Sequence, residues 1–178
     1  LDVWGKARLA GWANRMRAGG DAVTIVAPEA LAQVAGRGSK PQKFLRSRAT
    51  APTRQRQGLM VMALIRLAGS DPDSAAEMLE NKWGVQLTPE ERNWTWGAIG
   101  KQAAFRLSPA AMGYFNKVAK DHDLNDDLLG WKARTALRAG DWKAVHKAID
   151  AMSAQGRSDS TWVYWKARAL LKNQPNEA

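Results

Sequence analysis

One four-residue string returns almost intact along this chain. Trp131-Lys132-Ala133-Arg134 recurs as Trp165-Lys166-Ala167-Arg168, 34 residues on. Stepping back 35 residues from Trp131 reaches Trp96, and a further 35 reaches Val61. Two places after each large residue stands a small one, Ala63, Ala98, Ala133 and Ala167. Four places beyond those come Leu67, Gln102, Leu137 and Leu171, with Gln102 the one misfit. Ala75, Ala110, Ala144 and Ala178 keep the same step in the next segment. A period of this length confines the chain to repeat architectures, in which one unit buries its apolar face only against its neighbours.

The units are helical. Proline marks their starts, because its missing N–H would be unpaired in the first helical turn anyway. Ala27-Pro28-Glu29, Ala51-Pro52, Asp71-Pro72, Thr88-Pro89 and Ser108-Pro109 all read as a cap followed by Pro. Thr88 and Glu91 also form a capping-box pattern, with each side chain able to bond the other's backbone N–H. Asp141 and Ser158 to Ser160 offer further caps. Gly19-Gly20, Gly36, Gly69, Gly84 and Gly140 fall where helices should stop. The spacing predicts about ten helices, near 2–18, 21–35, 41–48, 52–68, 72–83, 89–105, 109–120, 125–139, 142–153 and 160–173. No alternating Val/Ile/Thr run bounded by turns reads as a strand.

The expected fold class is therefore all-α: stacked antiparallel helical hairpins, tetratricopeptide-like, forming a right-handed α-α superhelix. In such hairpins the bulky residue packs between neighbours and the Ala two places on admits the paired helix. Residues 1–178 read as one helical-repeat segment, loosely patterned over 1–49 and clearly repeating over 50–178. Gln174-Pro175 opens what reads as a further, truncated hairpin. The repeat core is expected to include Trp96, Ala98, Trp131, Ala133, Leu137, Trp142, Trp165, Ala167 and Leu171. The chain has nine Trp, and an indole face can also stack on a sugar. Periodicity places Trp96, Trp131, Trp142 and Trp165 in the core, while Trp4, Trp12, Trp83, Trp94 and Trp162 fall outside that register.

Charge narrows the partners. With 27 Lys and Arg against 17 Asp and Glu, the net charge is +10, which attracts polyanions. The bases concentrate in residues 37–56, where Arg37, Lys40, Lys43, Arg46, Arg48, Arg54 and Arg56 stand without an acid. That strip is either a solvated face or a polyanion and glycan contact, for which the planar Arg fork suits carboxylates. Cysteine is absent, so disulfide and thiol chemistry are excluded. No apolar run reaches the roughly 18 residues of a membrane span. His122 and His146 are far apart on different predicted helices, and no metal or cofactor is expected. Asp121-His122-Asp123 with Asp126-Asp127 reads as an acidic patch ahead of a helix.

Four blocks in order resemble the helical part of the soluble lytic transglycosylases. They are the run from Arg54 through Gly58-Leu59-Met60 to Arg66 with Asp71-Pro72 after it; Leu87-Thr88-Pro89-Glu90-Glu91 to Trp96 and Ala104; Trp131-Lys132-Ala133-Arg134 to Trp142; and Trp162-Val163-Tyr164-Trp165 to Leu170. The resemblance covers residue 50 to the end, and reaches 1–49 only through Val26-Ala27-Pro28 and Pro41 to Leu45. It implies a periplasmic enzyme that cleaves the β-1,4 bond between N-acetylmuramic acid and N-acetylglucosamine of peptidoglycan, leaving 1,6-anhydro ends. It also implies a long superhelical N-terminal region, the U-type region of that family, ahead of a lysozyme-like catalytic domain. This chain would belong to the superhelix.

That chemistry needs a carboxylic acid to protonate the leaving oxygen, and the family supplies it as a Glu followed by Ser. The six Glu here are Glu29, Glu77, Glu80, Glu90, Glu91 and Glu177, and none precedes Ser. Glu90 and Glu91 fall in a first helical turn, where the macrodipole favours acids. The segment is thus expected to be non-catalytic: a scaffold that guides glycan strands or positions the catalytic domain. Its expected partners are peptidoglycan strands, the lysozyme-like domain of the same chain and other cell-wall proteins, with no nucleic acid and no membrane span. Two rivals stand beside this reading, a tetratricopeptide-like protein-binding adaptor and a basic helical-repeat nucleic-acid binder.

Overall fold

The computed structural model describes residues 54–173, with side chains from residue 57 onward. The expected helices near 2–18, 21–35 and 41–48, and the hairpin expected from residue 174, lie outside the described residues. The chain divides into two compact units, Leu1–Thr95 and Trp96–Ala178. Among the described residues the structure is all-helical, with eight α-helices and no strand.

In the first unit, α1 (Arg54–Ala68) is apolar on nearly every side, and Met60, Val61, Leu64, Leu67 and Ala68 are buried. Gly69 and Ser70 end it. The Ser74 N–H donates to Asp71 Oδ1 at 3.0 Å, capping α2 (Pro72–Met78), whose first residue is Pro72. A single helix over 72–83 is expected from spacing. Instead α2 stops at Met78 and widens into a π turn, Leu79–Trp83, followed by a 3-10 turn, Gly84–Gln86. The Gly84 N–H returns to the Leu79 carbonyl five residues back. A Cβ on Gly84 would stand 2.6 Å from that same oxygen, so only glycine lets the wide turn close. The turn buries Leu79 and Trp83 completely. Gln57 Nε2 ties the 3-10 turn to α1 by donating to the Gln86 carbonyl at 2.7 Å.

Helix α3 (Pro89–Phe105) begins with the capping box. The Glu91 N–H donates to Thr88 Oγ1 at 3.2 Å, and the Thr88 N–H donates to Glu91 Oε2 at 3.0 Å. The two bonds satisfy two of the donors a helix start leaves unpaired.

In the second unit, Ala103 and Ala104 of α3 form a core with Ala111 and Phe115 of α4 (Ala111–Asn116), joined by the half-buried Tyr114 and Trp131. A Cβ on Gly100 would meet the Phe115 ring at 2.9 Å, so the ring lies directly on the α3 backbone. Helix α4 is shorter than the expected 109–120. Ser108 Oγ accepts from the Ala110 N–H at 3.2 Å, which spends residues 108–110 on a turn. Beyond Lys117 the chain makes a 3-10 turn at Asp121–Asp123.

Asn125 then caps α5 (Asp126–Ala139), accepting from the Leu128 N–H at 2.9 Å. Gly140, with φ 71°, ends it in the left-handed conformation. Asp141 caps α6 (Trp142–Asp150), accepting from the Ala144 N–H at 3.0 Å. Helix α6 packs on α5 and on α8 (Ser160–Asn173). Leu128, Leu129, Ala133 and Ala136 of α5 and Val145, Ala148 and Ile149 of α6 are fully buried there. Each large aliphatic side chain so placed contributes roughly 1.5–3 kcal/mol relative to exposure. A short helix absent from the sequence reading, α7 (Ala154–Ser158), precedes α8. Ser153 Oγ caps it by accepting from the Gly156 N–H, and Asp159, not Ser158 or Ser160, accepts at the start of α8.

Candidate functional site

The core expected from the repeat divides in two. Trp96, Ala98 and Ala133 are buried, and Trp131, Leu137, Trp142 and Trp165 are half-buried. Ala167 is exposed and Leu171 is 64% exposed, so the structure differs from the repeat reading at these two positions. The indole that α8 buries is Trp162, three residues before Trp165. Trp162 reaches the α5 backbone: a Cβ on Gly130 would stand 3.0 Å from its Cζ2. Of the basic strip, Arg37, Lys40, Lys43, Arg46 and Arg48 lie outside the described residues. Arg54 and Arg56 fall on the first turn of α1, where the backbone alone is described.

Charge inside the second unit is organised by paired residues. Asp121, from the acidic patch ahead of α5, is buried, and its Oδ1 accepts from Lys132 Nζ at 2.6 Å. Lys147 Nζ stands 4.0 Å from the other carboxylate oxygen. The second lysine of the repeated string, Lys166, also meets an aspartate: its Nζ donates to Asp150 Oδ1 at 2.5 Å. His146 Nε2 lies 3.3 Å from Asp150 Oδ2. The Lys166 hydrogen bond holds the Asp150 carboxyl below its ordinary value of 3.8, against a smaller opposing effect of burial, with His146 and Arg157 adding to the lowering. Among the described residues no group of three or more His, Cys, Asp or Glu is arranged to hold a metal.

The arginine of the string behaves differently. Arg134 is exposed, and its guanidinium carbon lies 5.5 Å from the Trp131 ring centroid and 5.0 Å from that of Trp162. Both distances are within the reach of a cation–π attraction, about 0.5–1 kcal/mol at an exposed site. Trp131 also meets Phe105 of α3, with centroids 5.6 Å apart and planes tilted by 58°. Phe105 is 68% exposed, and so is Leu107 two residues on. Lys101, one turn before Phe105, pairs with Asp127 of α5 at 3.0 Å. Phe105, Trp131 and Arg134 thus form a continuous aromatic and cationic surface along α3 and α5. A second, smaller stack lies on Trp96, whose ring faces Tyr114 at 6.1 Å and Lys117 Nζ at 5.1 Å.

The end of α3 that carries this surface is strained. The Ser108 N–H bonds the Ala103 carbonyl at 2.9 Å and the Leu107 N–H bonds the Ala104 carbonyl at 3.0 Å, the two bonds of a Schellman motif. That motif needs a left-handed residue, normally Gly, and here it is Leu107 with φ 58°. The side chain there costs about 1–2 kcal/mol. Sequence reasoning passed over Phe105, Leu107 and Arg134. The available signal was a helix end without Gly, between Phe105 and Pro109.

Over the described residues these features define an all-α arrangement of helices packed on helices, carrying an exposed aromatic–arginine surface. No protein-family profile matches the sequence, and no curated protein matches it. Among solved structures it is similar to an inactive mutant of the lytic transglycosylase Slt from Pseudomonas aeruginosa, with a TM-score of 0.64 and 22% identity. The match covers 98% of this chain and 29% of that one. The chain therefore has the fold of a segment somewhat under a third of that protein's length. Among the described residues no helix is long and apolar enough to cross a membrane.

Proposed function

We propose that the chain is a non-catalytic superhelical scaffold from a periplasmic lytic transglycosylase. In this reading it guides peptidoglycan strands to a lysozyme-like catalytic domain of the same protein that cleaves β-1,4 bonds to 1,6-anhydro ends. The observation that carries the reading is the similarity of fold over 98% of the chain to a lytic transglycosylase. Two properties support it: the net charge of +10, suited to a polymer rich in carboxylates, and an aromatic surface of a kind suited to the apolar faces of sugars.

Co-sedimentation of the chain with purified sacculi tests the proposal. Retention at moderate salt is the expected result, and a chain left in the supernatant overturns it. A protein-binding adaptor is the second reading, favoured by the exposed Val163, Tyr164, Leu170 and Leu171 of α8. Failure on sacculi together with capture of a defined protein partner would establish it.

A further inference from the structure

We propose that Phe105, Leu107, Trp131 and Arg134 form a binding site for a carboxylate-bearing saccharide. The ligand class rests on the glycan reading above; the site itself rests on three observations of these residues.

First, Arg134 keeps its hydrogen-bonding capacity unspent. Lys101, Lys132 and Lys166, on the same helices or on α8, each hold an aspartate. Among the described residues Arg134 is held by indole rings alone, at 5.5 Å and 5.0 Å. The stacking restricts the guanidinium without using its N–H groups, and a planar fork so fixed matches a carboxylate in a two-point contact. Second, Phe105 and Trp131 present ring surface beside that fork. The negative face of an aromatic ring attracts the weakly positive C–H groups of a sugar. Third, Leu107 is kept in a left-handed conformation where Gly would be unstrained, with its side chain 68% exposed. Strain retained at an exposed position points to a use for the side chain, and here that use is an apolar edge to the platform.

The surrounding charge favours an acid. Arg138 follows Arg134 by one helical turn. The nearby Asp127, one turn before Trp131, is already neutralised by Lys101 at 3.0 Å. A neutral sugar gains only the aromatic contact, whereas a sugar acid gains the fork as well.

Calorimetric titration of the full chain separates these contributions. The probes are a tetrasaccharide containing muramic acid, which carries lactyl carboxylates, and chitotetraose, which has none. The acidic sugar is expected to bind at least about tenfold more tightly, as a charge-assisted hydrogen bond allows. Arg134→Gln should reduce its affinity to the level of chitotetraose, and Phe105→Ser should weaken both sugars. Leu107→Gly should weaken binding while raising Tm, so its loss cannot be ascribed to unfolding. Equal affinity for the two sugars, or an Arg134→Gln chain that binds the acidic one unchanged, overturns the proposal. Sacculus retention by a chain whose variants are all unaffected removes this site and leaves the scaffold reading standing. Tight, Arg134-dependent sugar binding without sacculus retention does the reverse.

Discussion

Leu107 and Gly140 occupy the same place in two helix endings of identical hydrogen-bond pattern. At the end of α5 the Asp141 N–H returns to the Ala136 carbonyl at 3.0 Å and the Gly140 N–H to the Leu137 carbonyl at 3.1 Å, matching Ser108 and Leu107 at the end of α3. Both residues are left-handed, with φ of 58° and 71°. Only one is glycine. Leu107→Gly should therefore stabilise the chain by about 1 kcal/mol, read as a higher denaturant midpoint with unchanged slope. Gly140→Leu should cost a similar amount. A destabilised Leu107→Gly chain would mean that the exposed leucine supports the fold.

The buried Lys132–Asp121 pair makes a sharper claim. With side-chain exposures of 5% and 2%, removing Asp121 strands the Lys132 charge, and removing Lys132 leaves Asp121 only the longer 4.0 Å contact with Lys147. Lys132→Met or Asp121→Leu alone should cost roughly 3–5 kcal/mol, whereas the double substitution should recover most of that loss. Chemical denaturation of the three variants checks the cycle. Additive losses in the double variant would show that the pair does not act as a unit.

Two glycines in neighbouring helices should respond in opposite directions. At Gly113 a Cβ meets nothing within 4 Å, so Gly113→Ala should stabilise α4 by about 0.5–1 kcal/mol. At Gly100 even a Cβ would press on the fully buried Phe115 ring at 2.9 Å. Gly100→Val should cost roughly 1–3 kcal/mol through overpacking. Thermal melts of both variants are sufficient, and a neutral Gly100→Val would contradict the close approach of α3 and α4.

Acid should loosen α6 from α8 through Asp150. Its folded pKa is lowered, chiefly by the Lys166 hydrogen bond. The stability it contributes is therefore complete above the unfolded value near 3.8 and is lost as pH falls through the lower folded value. A carbon-detected NMR titration should place the Asp150 midpoint below 3.8. Lys166→Met should move that midpoint upward, and an unmoved midpoint would show that the bond does not form in solution.

Much of the helical plan could be read from the sequence, because its signals are local. Pro72 and Pro89 mark helix starts by their fixed φ, and Asp71, the Thr88–Glu91 box, Asp141 and Gly140 fix helix ends through bonds to nearby residues. Features that depend on distant partners could not be read that way. Asp121 reads only as part of an acidic patch, because nothing near it in sequence shows that Lys132 will be buried beside it. Trp162 fell outside the repeat register, yet it is the indole that lies against Gly130, since helix α8 turns that face to α5 and leaves Ala167 and Leu171 outward. Helix α7 is five residues long, too short to show a period, and only Ser153 marks it. The aromatic–arginine surface joins Phe105 of α3 to Trp131 and Arg134 of α5, with Arg134 also against the buried Trp162 of α8, and Arg134 gives no sign in sequence of being left without an acid.

The scaffold reading is tested most directly by incubating the chain with purified sacculi, sedimenting them, and analysing both fractions. The account predicts that the chain travels with the pellet while mass spectrometry finds no 1,6-anhydro products in the supernatant. A chain that stays in solution, or one that releases anhydro sugars by itself, would contradict it.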